Sequence, residues 1–340
     1  MSNQDSSAMA ALQAVIGKRY GPYLSWHPVS EAMIWQWVAA FDDRNPLYSD
    51  AEFARGAGFA DILSPPAMVQ GWCLPSISRR YPPGSAVERP YTVLDIAMQH
   101  GFPGNVAVSY DQRFLHPVVL GDDLHYFVEP IHVTEEKTTR LGTGHFTTCL
   151  EEYRNQDDAI VYESRTTYFN FKADDVEADD AEQVDRDPLT LLRPPEDYEA
   201  EVEWHDRGSS FEPGAGVGEL HIPVTSSRIA VCALASRDWM PMHHSRESAM
   251  GQGQPDIFMN ILTTGGFVGR YLTDWAGAGA TVSSVKFGLG VPNYPGDHMV
   301  LTGRVEDARE ENGKTLIDVS YQGQNNMGPH VTGSAVVVLP

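Results

Sequence analysis

The chain has 340 residues, of which 42% are hydrophobic and 21% charged, and its formal net charge is −22. This length suits two domains, and the strong negative charge excludes nucleic acid as an expected partner because phosphate binding needs a basic surface. No apolar run approaches the ~20 residues that cross a bilayer, and residues 1–17 lack the pattern of a secretory signal, so we expect a cytoplasmic protein without membrane contact.

The first half of the chain, residues 1–171, is predicted to begin with helices and to continue with strands. A helix is expected over residues 30–41, with Ser30 as its N-cap. After a short helix and a glycine-containing turn, a second helix is expected over residues 66–78. β-branched and aromatic residues then predict four strands. Their ranges are 106–114, 124–133, 144–153 and 159–171.

The last part of the chain, residues 216–340, repeats this order, and helices followed by antiparallel strands predict an α+β fold. The second of its helices contains three glycines, and each costs about 1 kcal/mol relative to alanine. Close packing against a curved sheet would explain them; a turn at Gly265-Gly266 that breaks the helix is the alternative. The predicted helices are 226–235 and 260–275, and the predicted strands are 281–291, 299–308, 314–322 and 330–339.

An acidic segment, residues 172–215, separates the two halves. Between Lys172 and Trp204 there are thirteen acidic and three basic side chains, which gives a local net charge of −10. Such a run with interspersed prolines is typical of a solvated linker.

The three cysteines, Cys73, Cys149 and Cys232, are far apart in the sequence. Their number is odd, and their spacing matches neither a disulfide framework nor a zinc-binding pair. We therefore predict reduced thiols in the core and no metal site. The sequence contains no glycine-rich phosphate loop, and no cofactor is expected.

The two halves are copies of each other. Residues 238–243 (Asp-Trp-Met-Pro-Met-His) repeat residues 43–48 (Asp-Arg-Asn-Pro-Leu-Tyr) at an offset of 195. A second series of matches has an offset of 175. Two collinear series indicate a duplicated domain. The other matched pairs are Gly56/Gly251, Gly58/Gly253, Asp61/Asp256, Ile62/Ile257, Gly71/Gly266, Pro117/Pro292, Gly121/Gly296 and Asp122/Asp297.

These motifs resemble the MaoC-like hydratase/dehydratase family of the hotdog superfamily, in its form with two hotdog domains in one chain. The family motif is matched by Asp238, Pro241, Met242 and His243 and, later, by Pro292 and Gly296-Asp297. Residues 43–48, Gly58-Phe59 and residues 117–122 resemble the companion dehydratase domain. The resemblance implies a double hotdog, with two antiparallel sheets each wrapped round a central helix. It also implies reversible addition of water to the double bond of an enoyl thioester, often with an (R)-3-hydroxyacyl product.

The resemblance implies that Asp238 and His243 form the catalytic pair. Water needs a base as it attacks Cβ, and an imidazole with an unperturbed pKa of ~6.5 suits proton transfer near neutral pH. The backbone N–H of Asn260, at the start of a helix, is the expected donor to the thioester oxygen. Two departures from the family concern this site: Met240 replaces an asparagine, and Asn260, preceded by Met259, replaces a glycine.

The same comparison predicts that the first half is catalytically inactive. Tyr48 stands where the second copy has its imidazole, and a phenol with a pKa of ~10 is a poor general base. His244 is expected to have a surface or packing role. CoA carries several negative charges, so an acidic protein needs local cations to bind it, and Lys286 and Arg113 are the predicted ones. Further candidates are Arg79, Arg80 and Arg237.

Three functions are therefore open. The first is an (R)-specific enoyl-CoA hydratase or 3-hydroxyacyl-thioester dehydratase, which the Asp–His pairing favours and which would suit a bulky or branched acyl group. The second is a hotdog acyl-CoA thioesterase. The third is a non-catalytic hotdog subunit that shapes a separate active partner. The expected ligand is an acyl-CoA thioester, and a homodimer or a complex with another hotdog chain is compatible with each function.

Overall fold

The computed structural model describes residues 3–139, 141–172 and 201–340. Before the acidic segment, the described residues form five α-helices and six strands, with most of the helices first. The helices are α1 (Asn3–Gln13), α2 (Glu31–Phe41), α3 (Ala51–Gly56), α4 (Val69–Cys73) and α5 (Thr92–Gln99). The strands are β1 (Tyr20–Leu24), β2 (Gly104–Phe114), β3 (His125–Val133), β4 (Lys137–Thr139), β5 (Gly142–Arg154) and β6 (Ile160–Lys172).

The elements after the acidic segment follow a similar plan. The helices are α6 (Ser226–Ala235), α7 (Arg246–Met250) and α8 (Ile261–Ala276). The strands are β7 (Glu203–His205), β8 (Gly216–Pro223), β9 (Thr281–Leu289), β10 (His298–Glu311), β11 (Lys314–Asn325) and β12 (Gly328–Val338). No helix within the described ranges is long and apolar enough to cross a bilayer.

The described strands form one antiparallel sheet that runs through both halves. Its order is β1-β3-β5-β6-β2-β9-β12-β11-β10-β8-β7, and β4 pairs with β5. The halves meet where β2 pairs with β9, with Tyr110 opposite Phe287. The α+β prediction is confirmed, but the two expected sheets are joined into a single one across this pair.

The duplication is visible in matching turns. In the first half the Asp122 carboxylate accepts a hydrogen bond from the Val119 N–H at 2.8 Å. In the second half the Asp297 carboxylate accepts one from the Tyr294 N–H at 2.7 Å. The matched Gly-Asp elements are therefore turns that are stabilised by a hydrogen bond from a backbone N–H to the aspartate side chain.

The glycine-rich helix α8 is continuous from Ile261 to Ala276. A Cβ atom on Gly266 would lie 2.3 Å from the ring of Phe41, which belongs to α2. In the other half, a Cβ atom on Gly71 would lie 3.1 Å from the Ser236 carbonyl oxygen. Close packing was the favoured explanation, but the neighbour that requires glycine at position 266 is a helix and not the curved sheet.

We expect Gly266→Ala to destabilise the protein by about 1–3 kcal/mol, because Phe41 is fully buried and stacked on Trp37 and must move aside. Gly269→Ala is the matched control, since its Cβ would lie 3.9 Å from Ala67 and a helical alanine gains up to about 1 kcal/mol. Urea unfolding measures both variants. Equal stabilities would show that close packing does not explain Gly266.

Several predicted boundaries are wrong for local reasons. The helix expected to reach residue 78 ends at Cys73. Pro75 follows Leu74, which adopts φ −63° and ψ 144° because a residue before proline avoids the helical region. Ser30 precedes α2 but makes no side-chain capping hydrogen bond. The predicted strands lie within three residues of the observed ends.

The acidic segment falls mainly on residues 173–200, which lie outside the described residues. Its last part is described and contains β7, which pairs with β8, so it is not linker throughout. The three cysteines are free and buried, as predicted.

Candidate active site

The loop between α6 and α7 brings Asp238 and His243 together. Pro241 opens a single turn of 3-10 helix, Pro241–His243, and proline suits this position because its fixed φ is close to helical. The Asp238 Oδ1 atom accepts a hydrogen bond from the Met240 N–H at 3.1 Å. His243 Nε2 then lies 3.6 Å from Asp238 Oδ2, with both side chains largely buried.

A hydrogen bond to the main chain fixes the orientation of the His243 ring. Its Nδ1 lies 2.8 Å from the Phe258 carbonyl oxygen. A carbonyl only accepts, so Nδ1 carries a proton, and in the neutral ring Nε2 is free to accept one. The Phe258 ring meets the imidazole edge-on, with centroids 4.9 Å apart. The basic nitrogen therefore faces the Asp238 carboxylate.

Asn260 holds the carboxylate in place. Its side-chain nitrogen donates to Asp238 Oδ2 at 2.8 Å and to Ser236 Oγ at 3.3 Å. Its side-chain oxygen accepts from the Thr263 N–H at 2.7 Å, so Asn260 is also the N-cap of α8. Because the cap occupies the oxygen, the amide nitrogen must point at Asp238. The sequence predicted only a backbone role for Asn260, although asparagine before an apolar helix is an N-cap signal.

The start of α8 also offers backbone donors. In the described part of the chain, the N–H of Asn260 has no hydrogen-bond acceptor, and the residue is buried. The first N–H groups of a helix lack internal partners and carry the positive end of its dipole. A developing negative charge beside Asp238 and His243 would meet these donors.

The loop that holds Asp238 and His243 is anchored on the other half of the protein. The Arg237 guanidinium donates to the carbonyl oxygens of Gly71, Trp72 and Leu74 at 3.2, 3.3 and 2.9 Å. The last carbonyls of a helix need such donors, and α4 ends at this point. Arg237 is therefore engaged in positioning the loop, and burial lowers its pKa.

The first copy of the motif keeps the loop geometry but not the imidazole. The Asp43 Oδ1 atom accepts from the Asn45 N–H at 3.0 Å, as Asp238 does from Met240. Tyr48 is buried and its hydroxyl interacts with Thr273 and Asn45. Burial is the largest cause that raises the pKa of Asp43, to about 7. A small cavity lies beside Asp43 and Tyr48 against α8.

We expect Asp43→Asn to stabilise the protein above pH 7. The folded pKa of about 7 exceeds the ordinary value of 3.8, so the folded state binds more protons and its stability falls as pH rises between these values. A shift of this size corresponds to at most about 4 kcal/mol. Urea unfolding at pH 5 and pH 8 should show the larger gain at pH 8.

Asp61→Asn serves as the control for that experiment. The pKa of Asp61 is lowered, first by the Ile62 N–H and then by Arg55, so its contribution has the opposite sign. A gain for Asp43→Asn that is equal at both pH values would contradict the explanation.

The predicted cations lie elsewhere on the sheet. Lys286 and Arg113 project from its outer face, exposed, and form long ion pairs with Asp111 at 3.7 Å and Glu163 at 4.0 Å. No contact within the described ranges joins them to Asp238 or His243, and their role in CoA binding stays a prediction. His244 is exposed, as expected for a surface residue.

The chain is similar in sequence to dehydratase and hydratase proteins. A family model described as the FAS1-like dehydratase domain region matches residues 14–164. The beta subunit of the 3-oxo-4,17-pregnadiene-20-carboxyl-CoA hydratase of Mycobacterium tuberculosis is 42% identical over 121 residues, which are 36% of this chain and 91% of that protein. The alpha subunit of the same name is 29% identical over 183 residues, which are 54% of this chain and 57% of that protein.

Solved structures show the fold. A MaoC-like dehydratase superposes with a TM-score of 0.69 and 17% identity, covering 97% of this chain and all of that one. A conserved hypothetical protein of Mycobacterium tuberculosis with a double hotdog fold gives a TM-score of 0.63 and 14% identity, covering 96% of this chain and 97% of that one. The chain therefore has the double hotdog fold. It spans little more than half the length of the alpha subunit, whose remaining part has no counterpart in the match.

Proposed function

Because the chain belongs to the MaoC-like hydratase/dehydratase family, we propose that it is a hydro-lyase that adds water reversibly to an enoyl-CoA and gives the (R)-3-hydroxyacyl-CoA. The observation that carries this proposal is the convergence of Asp238, His243 and Asn260, the N-cap residue of α8, in one buried cluster. A carboxylate, an imidazole and an oxyanion donor are the groups that hydration of a conjugated thioester requires.

In this mechanism one water molecule lies between His243 Nε2 and Asp238 Oδ2 and donates a hydrogen bond to each of them. The separation of 3.6 Å between these atoms is too long for a direct hydrogen bond. As the water oxygen attacks Cβ, Asp238 accepts one of its protons and negative charge moves to the thioester oxygen. Cα then receives a proton from the pair, so the net change is addition of H and OH across the double bond.

The N–H of Asn260 stabilises the intermediate charge. A donor directed at the position where charge develops is worth about 3–4 kcal/mol in other enzymes. A backbone N–H does not depend on its side chain, so asparagine can replace the glycine of the family here. The Asn260 side chain has a second role, because its contact with Asp238 replaces the loop-ordering amide that Met240 cannot supply.

The shape of the first half supports a bulky acyl group. Its central helix α4 has five residues, whereas α8 has sixteen. The inner face of its sheet is also unusually polar. Buried polar residues on this face are Gln112, Thr147, Glu151, Ser164, Thr166 and Asn170. On the second half's inner face most buried residues are apolar, among them Phe287, Ile317, Val319, Ala335 and Val337, and His330 is a buried polar exception.

A cluster of hydrogen bonds centred on Glu151 lies within this polar region. The Glu151 carboxylate accepts from Gln70 at 2.7 Å and from the hydroxyls of Tyr91 and Tyr168 at 3.1 and 3.3 Å. Gln70 also contacts Tyr110, whose pKa is raised by burial and then by charges that include Glu151 and Asp238. The buried Gln70 Oε1 has no partner among the described residues. This lining suits an acyl group with a distal hydroxyl or ketone, and the hydratase relatives are named for a 3-oxo-4,17-pregnadiene-20-carboxyl-CoA.

The two subunit relatives suggest how the chain is organised. A beta subunit and an alpha subunit of one named hydratase both match this single chain. In our proposal the two hotdogs play these two parts within one polypeptide, with chemistry in residues 216–340 and acyl binding in residues 1–171. Residues 172–215 connect the two domains.

The proposal is tested by following the loss of enoyl-thioester absorbance with purified protein. The panel contains crotonyl-CoA, a long straight-chain enoyl-CoA and a polycyclic enoyl-CoA with a ring ketone. We expect the highest kcat/KM for the polycyclic substrate and an (R)-3-hydroxyacyl product by chiral analysis. Release of free CoA without hydration would indicate a thioesterase, and silence on all three would indicate a non-catalytic subunit.

A further inference from the structure

Three histidines and a glutamate cluster on the outer face of the sheet, far along the strand order from the β2–β9 junction. His205 lies on β7, Glu219 and His221 lie on β8, and His298 lies on β10. In the β7–β8 pair, His205 is directly opposite Glu219. Successive side chains of a strand alternate between faces, so Glu219 and His221 share the outer face while Leu220 between them is buried.

The side chains of this cluster are in mutual contact. His221 Nε2 lies 3.1 Å from Glu219 Oε2, and its Nδ1 lies 3.0 Å from His298 Nε2. The rings of His205 and His221 stack with centroids 3.9 Å apart. One ligand atom from each of His205, Glu219 and His221 lies within 4.8 Å of the other two. Among the described residues, this is the group of three His, Cys, Asp or Glu side chains whose ligand atoms lie this close together.

We propose that His205, Glu219 and His221 bind a divalent transition-metal ion of the zinc type. Two imidazoles and a carboxylate are a ligand set that zinc accepts, with an open fourth position for water. The harder ions magnesium and calcium prefer oxygen ligands throughout. The partly exposed His205 and Glu219 side chains can rotate the remaining distance to about 2 Å from a shared ion.

His298 has the role of an outer partner in this arrangement. A histidine that binds a metal through one ring nitrogen usually donates the other N–H to a neighbouring acceptor, which fixes its tautomer. If His221 uses Nε2 for the metal, its Nδ1–H points at His298 Nε2. His298 accepts this hydrogen bond through the lone pair of an unprotonated Nε2.

The position of the site gives the ion a structural role. β7 has three residues, forms an edge of the sheet and follows directly on residues 173–200. A metal bound by one ligand from β7 and two from β8 ties this short strand to the sheet. Because binding to the folded state alone stabilises it by mass action, the ion should raise the melting temperature.

The test uses the full chain, purified without a polyhistidine tag and stripped with EDTA. Zinc is titrated by calorimetry, and cobalt binding is followed by its visible absorption. We expect one ion per chain, a rise of several degrees in Tm with zinc, and no such rise with magnesium. His221→Ala should weaken zinc binding at least about tenfold. Loss of a residue that only orients a ligand can already cost this much, and His221 is a ligand itself.

Glu219→Gln keeps the size of the side chain and should also weaken zinc binding. If His221→Ala does not fold, zinc binding to Glu219→Gln tests the site in its place. His132→Ala, which removes an exposed histidine from β3, is the matched control and should bind zinc like the unmodified chain. Absence of binding to the full chain would overturn the proposal, as would zinc affinity that is the same in Glu219→Gln and His132→Ala.

Discussion

Asp238→Asn and His243→Gln should each lower kcat/KM for hydration by at least about 100-fold, the low end of what a positioned acid or base contributes. Asparagine cannot accept the proton from water, and glutamine cannot replace the imidazole Nε2 that faces Asp238. Both changes keep the approximate size of the side chain. Steady-state kinetics on the best enoyl-CoA of the panel measures the loss.

Tyr48→Phe is the matched control, because Tyr48 occupies the position of His243 in the first copy of the motif. It removes one buried hydroxyl and should leave turnover nearly unchanged. Urea unfolding of all three variants separates misfolding from lost chemistry. Activity in Asp238→Asn equal to that of the unmodified chain would refute the assignment of the base.

Asn260→Ala should lower kcat by about 10- to 100-fold, the range found for residues that orient a reacting group from the second layer. The alanine removes the donor to Asp238 Oδ2 and the cap of α8 together. Loss of the cap should cost about 1 kcal/mol of stability.

Thr225→Ala separates the two roles of Asn260. Thr225 caps α6 by accepting from the Arg228 N–H at 3.0 Å, without any contact to Asp238. It should lose a similar amount of stability and keep its activity. If Thr225→Ala reduces turnover as much as Asn260→Ala, helix capping and not the contact with Asp238 explains the effect.

The sequence was sufficient for the four long strands of each half, for the main helices α2, α6 and α8, and for the duplicated motif. Apolar periodicity located α2 and α6, and the two copies of the Asp-x-x-Pro-x-ring pattern located both loops. These features depend on residues close in the chain. The strands β1 and β8 were not predicted, because each contains glycine or proline and is held in place by distant partners, β3 and β10.

The less predictable part of the site consists of contacts between segments. Arg237 was considered as a cation for CoA, but it holds the end of α4, about 165 residues away in sequence. The side chain of Asn260 reaches back 22 residues to Asp238. Neither distance is marked by a local pattern. The early end of α4 was predictable in principle from Pro75, since proline restricts the residue before it.

Because β2 and β9 pair within one polypeptide, the two halves of the sheet can mutate independently. In a dimer of identical hotdogs, a mutation in the gene alters both sites at once, so neither can lose its histidine without the other. Here the two halves are encoded by different stretches of one gene, so each can mutate without the other. They are still always present in equal numbers, because both belong to one chain and share one sheet. Selection can therefore keep the Asp–His pair in one half while the corresponding positions of the other half change independently.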